Sequence, residues 1–119
     1  MKCPLVPISI GELLDKISIL QIKSEYTGDK YVHKELHDLI RIANDIGVYK
    51  KDYLDRLLEV NRKLWSIEDE LRIRETNSNF DEEFINLARC VYITNDERSR
   101  IKKEINIKTE SEYSEVKLY

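Results

Sequence analysis

An all-α domain resembling a four-helix bundle is the fold this sequence predicts, and three observations predict it. Apolar residues recur at i, i+3, i+4 and i+7 through four long stretches, the period of an amphipathic helix. Breakers are scarce: the 119 residues hold three glycines and two prolines, and only Gly11 falls inside one of those stretches. Charged residues make up 36% of the chain with both signs interspersed, as on the solvated faces of helices. At this length the chain forms one helical domain, 1–119.

Residues 1–8 read as an extended lead-in, because Pro4 and Pro7 interrupt any regular element. Ser9-Ile10-Gly11-Glu12 is a capping box, with hydroxyl and carboxylate satisfying exposed amides reciprocally. It opens a first helix over 10–26, which Thr27-Gly28-Asp29 stops. Val32, Leu36, Leu39, Ala43 and Ile46 stripe a second helix over 30–46, with Gly47 as its C′ residue. Leu54, Leu57, Leu58, Leu64, Trp65 and Leu71 mark a third over 52–75. After the polar turn Thr76-Asn77-Ser78-Asn79, Asn79 is the expected N-cap of a fourth helix over 80–107. Thr94-Asn95-Asp96-Glu97 could be a second capping box that splits this helix, but the apolar line runs on through Ile101 and Ile105 and favours one continuous helix. The tail 111–119 reads as extended.

The first helix is apolar on two sides. Ile10, Leu13, Leu14, Ile17 and Leu20 form one stripe; Asp15, Ile19, Ile22 and Tyr26 form a second line. Either the helix lies centrally, under both the second helix and the hairpin of the last two, or Ile19, Ile22 and Tyr26 are a subunit interface. The second alternative predicts a homo-oligomer, most simply a two-fold dimer.

The turn at 76–79 makes the last two helices an antiparallel hairpin, on which the first two pack. Register from that turn sets Trp65 level with Tyr92, which it is expected to touch across the hairpin, and Asn61 level with Thr94 and Asn95. Four polar residues fall on the inner stripes: Asn61, Glu68, Asn95 and Arg98. Burying an amide or a charge is costly unless it is paired. Asn61, Asn95 and Arg98 are therefore expected in one hydrogen-bonded cluster. Glu68 lies too far along the hairpin to reach Arg98, so its partner is expected from the first helix, with Lys16 a candidate.

Several function classes are excluded or disfavoured. A net charge of −3 argues against general nucleic-acid binding, which needs a basic excess. Lys50-Lys51 and Lys102-Lys103 read as solvated surface pairs. No apolar run approaches the length of a membrane span, and the broken stretch Leu5–Ile8 lacks a secretory h-region. A cytoplasmic location with Cys3 and Cys90 as reduced thiols is expected. His33 and His37 share a helical face, but His-Lys-Glu-Leu-His is not the HExxH zinc motif, so no metal is expected. Phosphate-binding Gly loops and nucleophile elbows are absent from the sequence, and no cofactor is implied.

Three strings carry a resemblance that spans nearly the whole chain. They are Ser9-Ile10-Gly11-Glu12-Leu13-Leu14-Asp15-Lys16-Ile17-Ser18-Ile19-Leu20 with Ile22-Lys23, then Leu64-Trp65-Ser66-Ile67-Glu68-Asp69-Glu70-Leu71-Arg72, then Ala88-Arg89 through Val91-Tyr92 and Thr94-Asn95-Asp96 to Arg98. Lys102 to Asn106 and the terminal Glu115-Val116-Lys117 with Tyr119 complete it. Together they resemble a family of small bacterial and phage helical proteins defined only as a domain of unknown function. The resemblance implies no reaction. Its motif takes in Glu12, Asp15, Lys16, Glu68, Asn95, Asp96 and Arg98, overlapping the inner polar positions, and leaves out His33 and His37.

Two functions are compatible with these residues. One is a non-enzymatic interaction or assembly protein that self-associates and docks a protein partner through the first helix or the C-terminal tail. The other is a small-ligand binder or enzyme whose site is the polar cluster Glu12, Asp15, Lys16, Asn61, Glu68, Asn95 and Arg98. Accessibility discriminates them: a sealed, mutually bonded cluster favours the first, an open pocket the second.

Overall fold

The structure, a computed structural model, describes residues 2–119. It contains four helices and, among the described residues, no strand: α1 (Ile10–Ser24), α2 (Lys30–Asp45), α3 (Lys51–Thr76) and α4 (Glu82–Lys108). The expected fourth helix is continuous. None of the four is long and apolar enough to cross a membrane.

α3 and α4 pair most extensively, α1 lies against both, and α2 packs on α1 rather than on the hairpin. Helix 1 is thus the central element: its first apolar line from Leu13 onward and Ile22 of the second are buried inside the chain, while Ile19 is half-buried and Tyr26 is exposed. Leu14 and Ile17 are fully buried, and Ile22 on the second line is 1% exposed. That burial leaves Ile22 no surface to offer a partner subunit. The core continues through Leu57 and Ile105, also fully buried; each such side chain contributes about 1.5–3 kcal/mol.

Helix ends follow local chemistry, with two departures from expectation. α4 is capped by Asp81, whose Oδ1 accepts from the Phe84 amide at 3.1 Å, and not by Asn79. Asn79 instead closes α3, its amide donating to the Arg74 carbonyl at 2.9 Å. Arg74 then bonds both Glu70 and Asp81 at 3.1 Å and locks the hairpin tip. α1 stops at Ser24, short of the expected end, because α3 recruits Glu25 and Tyr26. Glu25 takes a bidentate pair from Arg62 at 2.8 and 2.6 Å, and Tyr26 stacks on Trp65 at 5.3 Å.

Three helices end in the same left-handed turn. After α2, Val48 donates to the Ala43 carbonyl and Gly47 to that of Asn44, at 2.9 and 3.0 Å, with Gly47 at φ 77°. α3 and α4 repeat this pattern with Ser78 at φ 51° and Glu110 at φ 52°, where L side chains are strained. Ser78→Gly should therefore raise stability by up to about 1 kcal/mol, read as a higher midpoint in urea. An unchanged or lower midpoint would contradict the strain.

The hairpin outruns the rest of the molecule. α3 and α4 have 26 and 27 residues against 15 in α1. The radius of gyration is 16.1 Å, with extents of 48 × 33 × 29 Å, where a compact chain of this length has about 13–14 Å. The excess is a two-helix limb, and two helices alone cannot cover their apolar faces. Ile73, Phe80, Ile85, Tyr92 and Ile93 are accordingly half-exposed.

Candidate functional site: a polar seam that opens into a groove

α1 runs antiparallel to α4, and a polar seam joins them. Its α4 side is Arg98, Lys102 and Asn106, four residues apart and so on one face. Asp15 is fully buried. Its Oδ1 accepts from Arg98 Nε at 2.9 Å and from Asn61 Nδ2 at 2.9 Å, while Arg98 Nη2 closes a second bond to Oδ2. Asn61 Nδ2 also donates to Ser18 Oγ at 2.8 Å. This fork-to-fork ion pair is the strong form of the interaction. Hydrogen bonds to Asp15 hold the Arg98 guanidinium above its ordinary pKa, against the opposing effect of burial.

One turn along, Lys102 Nζ donates to Glu12 Oε2 at 2.6 Å and to Glu115 Oε2 at 3.1 Å. Burial works against the ammonium and is its largest single influence, but the two carboxylates together outweigh it and raise its pKa. A further turn along, Asn106 Oδ1 accepts from the Gly11 amide at 2.7 Å. Ser111 Oγ accepts from the Ile10 amide at 3.0 Å, and Ser9 Oγ from that of Glu12 at 3.0 Å. The free amides of the α1 N-terminus are thus satisfied by three side chains. The capping box is half formed, because the Glu12 carboxylate goes to Lys102 instead of back to Ser9.

Gly11 is what allows this closeness. A Cβ there would lie 2.6 Å from the Lys102 carbonyl and 2.9 Å from Asn106 Oδ1. The C-terminal tail straps the same face of α4: Lys117 pairs with Asp96 at 2.6 Å, and Asn106 reaches Ser114 Oγ at 3.4 Å. A cleft of about 600 Å³ remains between tail and helix, bordered by Tyr92, Asn95, Arg98, Lys102 and Tyr119.

The structure divides the residues singled out from sequence. Asp15, Asn61 and Arg98 come together, and Glu12 joins the seam through Lys102. Asn95 does not enter the cluster: half-buried, it makes no side-chain hydrogen bond among the described residues and lines the cavity beside Arg98. Glu68 is not held by α1. Its nearest cation is Arg72 of its own helix at 3.7 Å, and Lys16 is exposed on the far side of α1. Trp65 takes Tyr26 as its aromatic partner, and Tyr92 is 56% exposed. The level register of Trp65 and Tyr92 puts them on different flanks of the hairpin. His33 is exposed, its Nε2 3.1 Å from the Thr27 carbonyl, and His37 is exposed.

The sequence reading misplaces one seam residue and misses another. Lys102 is 8% exposed, not solvated surface, and Asn106 is 5% exposed. Their signal is the four-residue spacing Arg98-Lys102-Asn106 facing Glu12 and Asp15. Buried Thr94 carries a hydroxyl with no hydrogen-bond partner.

Beyond Asp15 the seam opens. α1 angles toward α3, and a cavity of about 420 Å³ lies between Ile19, Ile22, Asn61, Leu64, Trp65, Glu68, Asp69, Arg72, Asn95 and Arg98. It leads, through Glu68 and Arg72, into a groove of about 380 Å³ lined also by Leu71, Glu75, Phe84, Ala88 and Val91, with no residue of α1 in it.

No curated protein and no solved structure matches the chain. The sequence profile of the family of unknown function DUF6165 matches residues 4–119, and the chain belongs to that family.

Proposed function

We propose that the protein is a non-enzymatic helical interaction protein that takes a further helix into the distal α3–α4 groove. One observation carries the reading: a single seam runs along the hairpin, its proximal half filled by a helix, α1, and its distal half empty. Helix-in-groove docking uses apolar anchors at i, i+3/i+4 and i+7, and Leu71, Phe84, Ala88 and Val91 supply the receiving surface. Asp15, Asn61 and Ser18 are sealed and mutually bonded, which suits a structural role for that part of the polar cluster. Of the residues expected at a dimer interface, Ile22 is core and Tyr26 is exposed. The setting we propose is the cytoplasm of a bacterium or phage-infected cell, where Cys3 and Cys90 stay reduced.

Trp65, the sole tryptophan, lines the mouth of the groove and reports on its filling. Titration with a leucine-seamed amphipathic peptide should shift Trp65 emission to the blue, saturably. Ala88→Glu should abolish the shift while leaving the circular dichroism unchanged. An emission spectrum indifferent to such peptides would contradict the reading.

A second reading, a small polar ligand in the cavity beside Trp65, is favoured by the unbonded Asn95 amide there. It predicts a metabolite that raises the melting temperature of the protein but not of Asn95→Ala.

A further inference from the structure

The charges along the seam identify the chemistry of the occupant. In the proximal half the hairpin contributes cations, Arg98 and Lys102, and the helix seated there contributes Asp15 and Glu12. In the distal half the balance reverses: two carboxylates of the hairpin, Glu68 and Glu75, line the groove against one cation, Arg72. The asymmetry holds for the limb as a whole. Residues 68–92 carry seven acidic and three basic side chains, a net −4, so the remainder carries +1.

We infer that the distal groove receives a basic amphipathic helix from a different protein. This rests on the groove being a helix-docking surface, as proposed above, and adds the identity of the occupant. A second copy of the limb would bring −4 against −4, a juxtaposition that like-charge repulsion disfavours. A helix with a Leu or Ala seam and Lys or Arg flanks meets both features of the groove. Its seam covers Leu71, Phe84, Ala88 and Val91, and its flanks reach Glu68 and Glu75. Along α3 the groove runs from Glu68 to Glu75, roughly 10 Å or two turns, so an occupant of about eight residues fills it.

The test uses the full chain and two synthetic peptides of identical leucine seam, one flanked by lysine and one by glutamate, followed by fluorescence polarisation. The lysine peptide should bind at least about tenfold more tightly than the glutamate peptide, with a preference that shrinks as salt rises. Glu68→Lys with Glu75→Lys should reverse the preference. Ala88→Glu should weaken the lysine peptide although it adds negative charge, which separates seating in the groove from adsorption to an acidic surface. Equal binding of both peptides, lost in Ala88→Glu, would overturn the basic occupant and keep the docking groove. Binding of neither peptide would overturn both. A dimer in sedimentation that Ala88→Glu dissociates would replace the basic partner with a second copy.

Discussion

Asp15→Ala is expected to cost about 3–5 kcal/mol, the range for breaking a buried ion pair by removing one partner. The carboxylate is fully buried and answers both Arg98 and Asn61, so its loss strands a guanidinium and an amide at once. Arg98→Met should also destabilise, because it leaves a buried carboxylate with Asn61 and no cation. The pair Asp15→Leu with Arg98→Met removes both charges and should recover most of the loss, since apolar residues of similar volume replace a buried ion pair at little net cost. Urea denaturation of the unaltered protein, Asp15→Leu, Arg98→Met and the double variant measures this coupling. Additive single losses would show that the two residues do not act as a pair.

Gly11→Ala tests the seam by sign. Helix propensity alone predicts a gain of nearly 1 kcal/mol. The structure predicts the opposite, a loss of about 2–4 kcal/mol, from overpacking and from a disturbed buried hydrogen bond. The added methyl would meet the Lys102 carbonyl, which is backbone, and Asn106 Oδ1, which already holds the Gly11 amide. A stabilised variant, by the same denaturation measurement, would show that α1 and α4 are not in close contact there.

The four helices were legible because each carries its own periodicity and caps, and Gly47 announced the end of α2. The ends of α3 and α4 fall within one residue of the expected 75 and 107, but the left-handed turns at Ser78 and Glu110 were not legible, since nothing in those residue types signals them. Asp15, Asn61 and Arg98 stood out as polar residues on apolar stripes, and burial brought them together. Asn95 and Glu68 stood out for the same reason but line an opening, because beyond Asp15 the end of α1 is tied to α3, through Glu25–Arg62 and Tyr26–Trp65, and not to α4. Crossing angle is set by packing across three helices and leaves no periodic mark in one of them. Lys102 was hidden by its neighbour: Lys102-Lys103 looks like surface, yet the two point in different directions around α4, and only the first meets Glu12.

The groove was not legible at all, since it consists of where α1 ends relative to α3 and α4. Its apolar side chains, Leu71, Phe84, Ala88 and Val91, sit at ordinary helical spacing in the sequence and read as core.

The hairpin limb is an unfinished bundle, and hydrogen exchange on the free protein tests this most directly. Amides of 68–92 should exchange distinctly faster than those around Leu57 and Ile101, which α1 covers, because local opening of a two-helix limb exposes little buried surface. Addition of a lysine-flanked amphipathic helix should slow exchange along 64–92 and leave the base unchanged. A limb as strongly protected as the base in the free protein, unaltered by that helix, would contradict the account.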